Sequence, residues 1–324
     1  MVVASGRTYA DDTTGPPYSI DMDTSRRTRR PRLALLLVVL VTLGGSIGTV
    51  AAWSAVHGGS GSLVEGSGAL GSVSWPARGE AAVAIDEGSI AVSSDRPLPM
   101  ASISKLVTAL MILEAKPLRP GAQGDTFTIT HQDDLRYIEA VRRGQSALAV
   151  PVGGTLTQYQ LLEGMLIGSA CNYADFLVDH IWDSNDAFVT AAASFLRRNH
   201  LDGITMVEPT GFDPHNTATP AALVKLGRLA LADPIVAGIV VKRSVDLPGA
   251  GRVENTNDLL ADPGTVGIKT GTLDGYNLLS ARDVSDADGR TVRVFVVVMR
   301  QPTDDARFRA SRALYDQVTS ISGG

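Results

Sequence analysis

Ser102 and Lys105 stand three residues apart in the stretch Pro97-Leu98-Pro99-Met100-Ala101-Ser102-Ile103-Ser104-Lys105, directly ahead of the apolar run Leu106 to Leu113. Two prolines keep the approach extended, and the pattern predicts a helix from about Ser102 to Ala115. On a helix this spacing sets both side chains on one face, with the hydroxyl at the positive end of the macrodipole. The chemistry is that of a nucleophile beside a base. A serine hydroxyl attacks only when something takes its proton, and lysine can do so once burial and nearby positive charge lower its pKa towards neutrality. Leu106, Val107, Leu110 and Met111 are placed to provide that burial. Taken alone, the same residues also describe a helix N-cap followed one turn later by a solvated lysine.

Two further stretches change that balance. Gly168-Ser169-Ala170-Cys171-Asn172 lies between two helical patterns, and Gly267-Ile268-Lys269-Thr270-Gly271-Thr272 ends a strand-like run. Ser-x-x-Lys, a Ser-x-Asn-like turn and Lys-Thr-Gly, in that order, form the triplet of penicillin-binding proteins and serine β-lactamases. The chain resembles the serine-type D-alanyl-D-alanine carboxypeptidases, the low-molecular-mass penicillin-binding proteins that trim peptidoglycan stem peptides. The resemblance covers residues 78–320 and extends to Leu161-Leu162-Glu163-Gly164-Met165-Leu166-Ile167, Glu208-Pro209-Thr210-Gly211-Phe212-Asp213 and Asn255-Thr256-Asn257-Asp258-Leu259-Leu260.

The resemblance implies roles. Ser102 forms an acyl-enzyme with the penultimate D-alanine carbonyl, Lys105 is the base, and backbone N–H groups of Ser102 and Thr272 hold the oxyanion. Ser169 relays protons to the leaving group. Lys269 receives the substrate's terminal carboxylate, with Thr270 and Thr272 donating to it, and Gly271 leaves room for the peptide. β-Lactams are expected to acylate the same serine. The second motif departs from the family pattern: Cys171 falls where an asparagine belongs, and a thiol is a weaker donor and acceptor than an amide. A one-residue bulge would instead turn Asn172 into the site.

Lysine usage points to the same two positions. Only Lys105, Lys116, Lys225, Lys242 and Lys269 stand against 24 arginines, and two of the five lie in the motifs. Arginine does not deprotonate in proteins, so a base needs lysine.

Three regions precede the catalytic part. Residues 1–32 are polar and aperiodic, ending in an arginine cluster, and read as a disordered cytoplasmic tail. Leu33 to Ala52 is twenty residues without a charge, enough at about 1.5 Å per residue to span roughly 30 Å of hydrocarbon. The arginines stay cytoplasmic, so this single-pass anchor sends the catalytic domain outside the cell membrane. Ala51-Ala52-Trp53-Ser54-Ala55 offers the competing reading of a cleaved signal peptide, with the same outcome for the domain. Residues 53–74 read as a Gly/Ser-rich linker and 75–324 as the catalytic domain.

Net charge is −5 overall, and −7 once the six arginines and four acidic groups of residues 1–32 are set aside. Nucleic acid is therefore not an expected partner. The single cysteine rules out an intrachain disulfide. His57, His131, His180, His200 and His215 have no metal-ligand spacing, so neither metal nor cofactor is expected.

The elements that must position these residues follow from pattern. Ala81 to Asp86 and Ser89 to Ser93 read as a hairpin joined at Glu87-Gly88, and the nucleophile helix, apolar nearly all round, as a central one. Strands are expected at Thr126–Thr130, Val266–Thr270, Tyr276–Ala281 and Val292–Met299. Helices are expected at Asp133–Arg143, Thr155–Ile167 with Thr157 or a neighbour as cap, Tyr173–Trp182, Asn185–Asn199, Thr219–Ala232 and Asp304–Ser320. Strands at both ends imply an α+β fold of the β-lactamase/transpeptidase type. It has one antiparallel sheet flanked by helices, a mainly helical lobe, and a groove between them where the motifs meet.

Two other functions compete. A class A β-lactamase needs Glu-x-x-x-Asn between the second and third motifs, and neither Glu208 nor Glu254 has that spacing. A tethered relative that binds cell-wall peptide without turnover is kept open by Cys171.

Overall fold

The computed structural model of the chain describes Leu70, residues 73–286 and residues 288–322. The expected tail, anchor and nearly all of the linker lie outside these residues. Among the described residues no helix is long and apolar enough to cross a membrane.

Strands β1 (Glu80–Ile85) and β2 (Ile90–Val92) form the expected hairpin, in the register Ala82↔Val92. After β3 (Leu98–Pro99) the chain differs from expectation. Ala101–Ile103 is a 3₁₀ turn, and α1 (Ser104–Ala115) begins two residues after Ser102. The reason is a tight bend: Ala101 has a φ of 51°, and Ser104 Oγ donates to its carbonyl at 2.8 Å. Ser104 to Leu113 are all buried, as an apolar-all-round helix requires.

The helical lobe follows. It contains β4 (Thr126–Thr128), α2 (His131–Arg142), β5 (Thr155–Thr157), α3 (Gln158–Leu166), α4 (Cys171–Asp179) and α5 (Asn185–Arg198). Thr155-Leu156-Thr157 pairs with β4 rather than opening a helix; Thr157 then caps α3, exchanging side-chain bonds with Gln160 in a capping box. Helix α4 starts at Cys171, so Cys171 and Asn172 are its first two residues.

Short strands β6 (Ile204–Thr205) and β7 (Thr217–Ala218) bracket a loop, and α6 (Pro220–Ala232) runs as expected. Neither α7 (Pro234–Val240) nor the hairpin of β8 (Ser244–Leu247) and β9 (Gly251–Glu254) is among the elements expected from pattern. Asp233 ends one helix and starts the next. Preceding a proline it is held extended, and its carboxylate caps the N–H groups of Ile235 and Val236.

The last elements are β10 (Thr265–Leu273), β11 (Gly275–Ser285), β12 (Thr291–Gln301) and α8 (Asp304–Ser322). The main sheet is antiparallel in the order β10-β11-β12-β1-β2, built from both ends of the domain. Alternation divides its two faces. Val83, Val294, Val296 and Val298 pack with Phe308, Leu314, Tyr315 and Val318 of α8, while Ala82, Ala84, Val297 and Met299 join the core that holds α1 and α6. β10 is left as an edge strand.

Because Leu314 is fully enclosed between α8 and the sheet, Leu314→Ala is expected to lower stability by about 2–5 kcal/mol. Urea unfolding checks this as a fall in midpoint with an unchanged slope.

Candidate active site

Lys105 is fully buried, and its Nζ donates in three directions. It reaches Ser102 Oγ at 3.0 Å, Cys171 Sγ at 3.3 Å and the Thr210 carbonyl at 2.6 Å. The three acceptors come from the 3₁₀ turn, the start of α4 and the loop between β6 and β7, so three segments far apart in sequence converge on one nitrogen.

Glu208 sets the geometry of that loop. Its carboxylate accepts from the Thr210 N–H and hydroxyl at 2.8 and 2.6 Å, the Gly211 N–H at 2.5 Å and Asn216 Nδ2 at 2.9 Å. Asn216 Nδ2 also reaches Ser104 Oγ at 3.2 Å, and Thr108 donates to the Pro209 carbonyl at 2.7 Å, which ties the loop to α1. Gly211 has a φ of 80°, and a Cβ there would stand 1.9 Å from the Ala101 carbonyl oxygen. Only glycine fits both the backbone conformation and the contact. The resemblance covers Glu208 to Asp213, but pattern alone assigns them no role.

In the second motif Ser169 is buried, with a φ of 60°, on the turn between α3 and α4. The residue beside Lys105 is Cys171. The alternative that brings Asn172 inward is corrected: there is no bulge, since α4 begins at Cys171. Both ends of the Asn172 amide are occupied by the backbone of Leu148, Oδ1 accepting at 3.1 Å and Nδ2 donating at 2.8 Å.

The third motif lies on β10, which packs against the 3₁₀ turn. Lys269 is fully buried, and its Nζ has no hydrogen-bond partner. Burial pulls its ammonium well below the ordinary lysine range; Lys105 and then Arg307 add repulsion, while Cys171 acts the other way. Thr270 is buried with its hydroxyl 2.5 Å from that of Thr256, whereas Thr272 is exposed. Gly271 also makes room for the turn that carries Ser102. A Cβ there would stand 2.6 Å from the Met100 carbonyl oxygen and 3.3 Å from the Ser102 nitrogen, so its missing side chain lets β10 close on the nucleophile's own turn.

Arg307, on α8, is missed by sequence reasoning. Its Nη1 donates to Thr272 Oγ1 at 3.2 Å and to the carbonyls of Asn277 and Gly271 at 3.3 and 3.4 Å, and it pairs with Asp304. One of 24 arginines on an amphipathic helix carries no signal that it will be buried against the motif strand.

Asp175 is also absent from the sequence-derived set. It follows Cys171 by one turn of α4 and is partly buried, with no hydrogen-bond or ion-pair partner among the described residues. Burial pushes its carboxyl up to about 7; Glu208 and Asp179 raise it further, and Lys105 and Arg136 oppose them.

The family model described as D-alanyl-D-alanine carboxypeptidase matches residues 76–303. The chain belongs to that family. It is 25% identical over 227 residues to D-alanyl-D-alanine carboxypeptidase DacC of Escherichia coli, covering 68% of this chain and 55% of DacC. It is 28% identical over 129 residues to a D-alanyl-D-alanine endopeptidase of the same organism, covering 40% of this chain and 38% of that protein. The chain thus spans about half the length, or less, of the curated relatives it matches.

The fold is that of penicillin-binding proteins. A Streptomyces DD-transpeptidase superposes with a TM-score of 0.66 at 20% identity, covering 76% of this chain and 100% of that one. Penicillin binding protein 6B from Escherichia coli gives 0.63 at 21%, covering 74% and 76%.

Two stability measurements test this geometry. Gly271→Ala forces β10 off the 3₁₀ turn and is expected to cost about 1–3 kcal/mol in urea unfolding, the range for overpacking. Asp175 acts oppositely. Its folded pKa lies above the unfolded value, so the native state holds the extra proton and stability falls as pH rises from 3.8 to about 7. Asp175→Asn is therefore expected to raise the melting temperature by several degrees at pH 8 and to change it little at pH 4.

Proposed function

We propose that this protein is a serine D-alanyl-D-alanine carboxypeptidase that removes the terminal D-alanine from peptidoglycan stem pentapeptides. The observation that carries this reading is Lys105 Nζ at 3.0 Å from Ser102 Oγ, held there by acceptors from two other segments. A base within hydrogen-bond reach of its nucleophile and fixed by independent contacts is what serine acylation requires.

In the proposed route Lys105 takes the Ser102 proton as Oγ attacks the penultimate D-alanine carbonyl. The backbone N–H groups of Ser102 and Thr272 receive the oxyanion, and the closure of β10 on the nucleophile's turn supports that pairing. Ser169 carries the proton to the departing amine, D-alanine leaves, and water hydrolyses the ester. Every group in this route belongs to the chain, so no cofactor is invoked.

The substrate's terminal carboxylate goes to Lys269. That nitrogen is buried without a partner, and a carboxylate beside it would supply one and favour its protonated form. Arg307 adds positive charge behind Thr272. Cys171 holds the asparagine position with a weaker donor and acceptor, which costs substrate positioning roughly 1–3 kcal/mol. β-Lactams are the expected covalent inhibitors. The charge-free run Leu33 to Ala52 would hold the domain at the outer face of the cell membrane.

Incubation of the full chain with penicillin should add one drug mass by intact-mass spectrometry, and Ser102→Ala should abolish the adduct. Release of D-alanine from a pentapeptide should follow the same pattern, and Cys171→Asn should speed acylation about tenfold. Folded protein that gives neither adduct nor D-alanine overturns the reading.

A further inference from the structure

Glu208 makes no hydrogen bond to Ser102 or Lys105, yet the contacts of both run back to it. It stands half-buried in the wall of a groove of about 440 Å³, which Thr210 and Asp175 also line. Its carboxylate meets donors on both sides. Oε2 accepts from the Thr210 N–H at 2.8 Å and hydroxyl at 2.6 Å, and Oε1 accepts from the Gly211 N–H at 2.5 Å, Asn216 Nδ2 at 2.9 Å and the Asp213 N–H at 3.4 Å. Each oxygen therefore faces at least one backbone N–H, a group that cannot turn round and accept. An ionised carboxylate satisfies them all, whereas an amide of the same shape would set its NH₂ against a backbone N–H whichever way it is flipped.

Two routes lead from this carboxylate to the reacting pair. In the first, the bonds to the Thr210 N–H and hydroxyl fix the residue whose carbonyl accepts from Lys105 Nζ at 2.6 Å. In the second, Asn216 Nδ2, held by Oε1, also donates to Ser104 Oγ at 3.2 Å, and Ser104 Oγ donates to the Ala101 carbonyl at 2.8 Å. The Asn216 carbonyl accepts from the Met100 N–H at 2.9 Å. Ser102 is thereby held from both sides. The turn needs that hold, because Ala101 has a φ of 51°, a conformation that alanine keeps only where its surroundings impose it.

We infer that Glu208 is a positioning residue of the reaction: its negative carboxylate sets the geometry of Ser102 and Lys105 through the β6–β7 loop and binds no part of the substrate. The inference rests on the proposed peptidase reading for what the pair does, and on the hydrogen bonds alone for what Glu208 holds. A residue of this kind governs how fast bound substrate acylates Ser102 and leaves the affinity for substrate alone. A glutamate with only a structural role would move stability without separating those two quantities.

Glu208→Gln provides the test. In the full chain, the rate of acyl-enzyme formation at saturating penicillin should fall at least about tenfold. Calorimetry on the full-length Ser102→Ala variant should give the same affinity for a peptide ending in D-Ala-D-Ala, within about twofold, with and without Glu208→Gln. Acylation within about twofold of the parent in folded Glu208→Gln protein overturns the inference, as does a peptide affinity that falls as steeply as the rate. If urea unfolding shows that Glu208→Gln does not fold, two variants of its partner decide instead. Thr210→Ser keeps the hydroxyl that donates to the carboxylate and should acylate at least about threefold faster than Thr210→Val, which lacks it; equal rates overturn the inference. Folded parent protein that takes up no penicillin removes the peptidase reading and this inference with it, whereas equal rates in parent and variant remove this inference alone.

Discussion

A single buried lysine nitrogen organises the centre of this molecule. Lys105 is enclosed in the core, and it can be there because three oxygen or sulfur acceptors surround its nitrogen. A polar nitrogen so enclosed without partners would bear the full cost of desolvation. Each acceptor is supplied by a different segment, so the 3₁₀ turn, the start of α4 and the β6–β7 loop must assemble together. The loop depends in turn on Glu208, whose carboxylate bonds shape the turn that presents the Thr210 carbonyl.

The sheet supplies the opposite wall. Because β10 is an edge strand, paired on one side only with β11, it is free to pack against the 3₁₀ turn that carries Ser102. Gly271 lets that strand touch the turn bearing Ser102, and α8 reaches around to place Arg307 behind it. Lys269 on β10 and Arg307 packed against that strand from α8 bring two basic groups together, and burial lowers the pKa of each. The Lys269 nitrogen has no partner, and a carboxylate would supply one.

Asp175 adds an opposing element on the other side of Thr210. It stands one turn beyond Cys171, so the helix that brings the thiol to Lys105 also aims a carboxylate into the neighbouring groove. The same short helix links the reaction centre to the groove.

The sequence by itself determined the architecture and the chemical actors. The hairpin Ala81–Ser93, the all-apolar nucleophile helix, the C-terminal strands and the closing amphipathic helix were legible because burial imposes periodicity on each element. Ser102, Lys105 and Lys269 were legible because their chemistry requires particular residue types at short spacing. Tertiary structure alone decided what those residues meet. Whether Cys171 or Asn172 faces Lys105 turns on where α4 begins, a shift of one residue that rotates the side chains by about 100°. What fills the space left by Gly271, and whether Arg307 and Asp175 reach the site at all, depend on elements far apart in the chain. Periodicity marks which face of an element is buried; it carries no information about which distant atom lies against it.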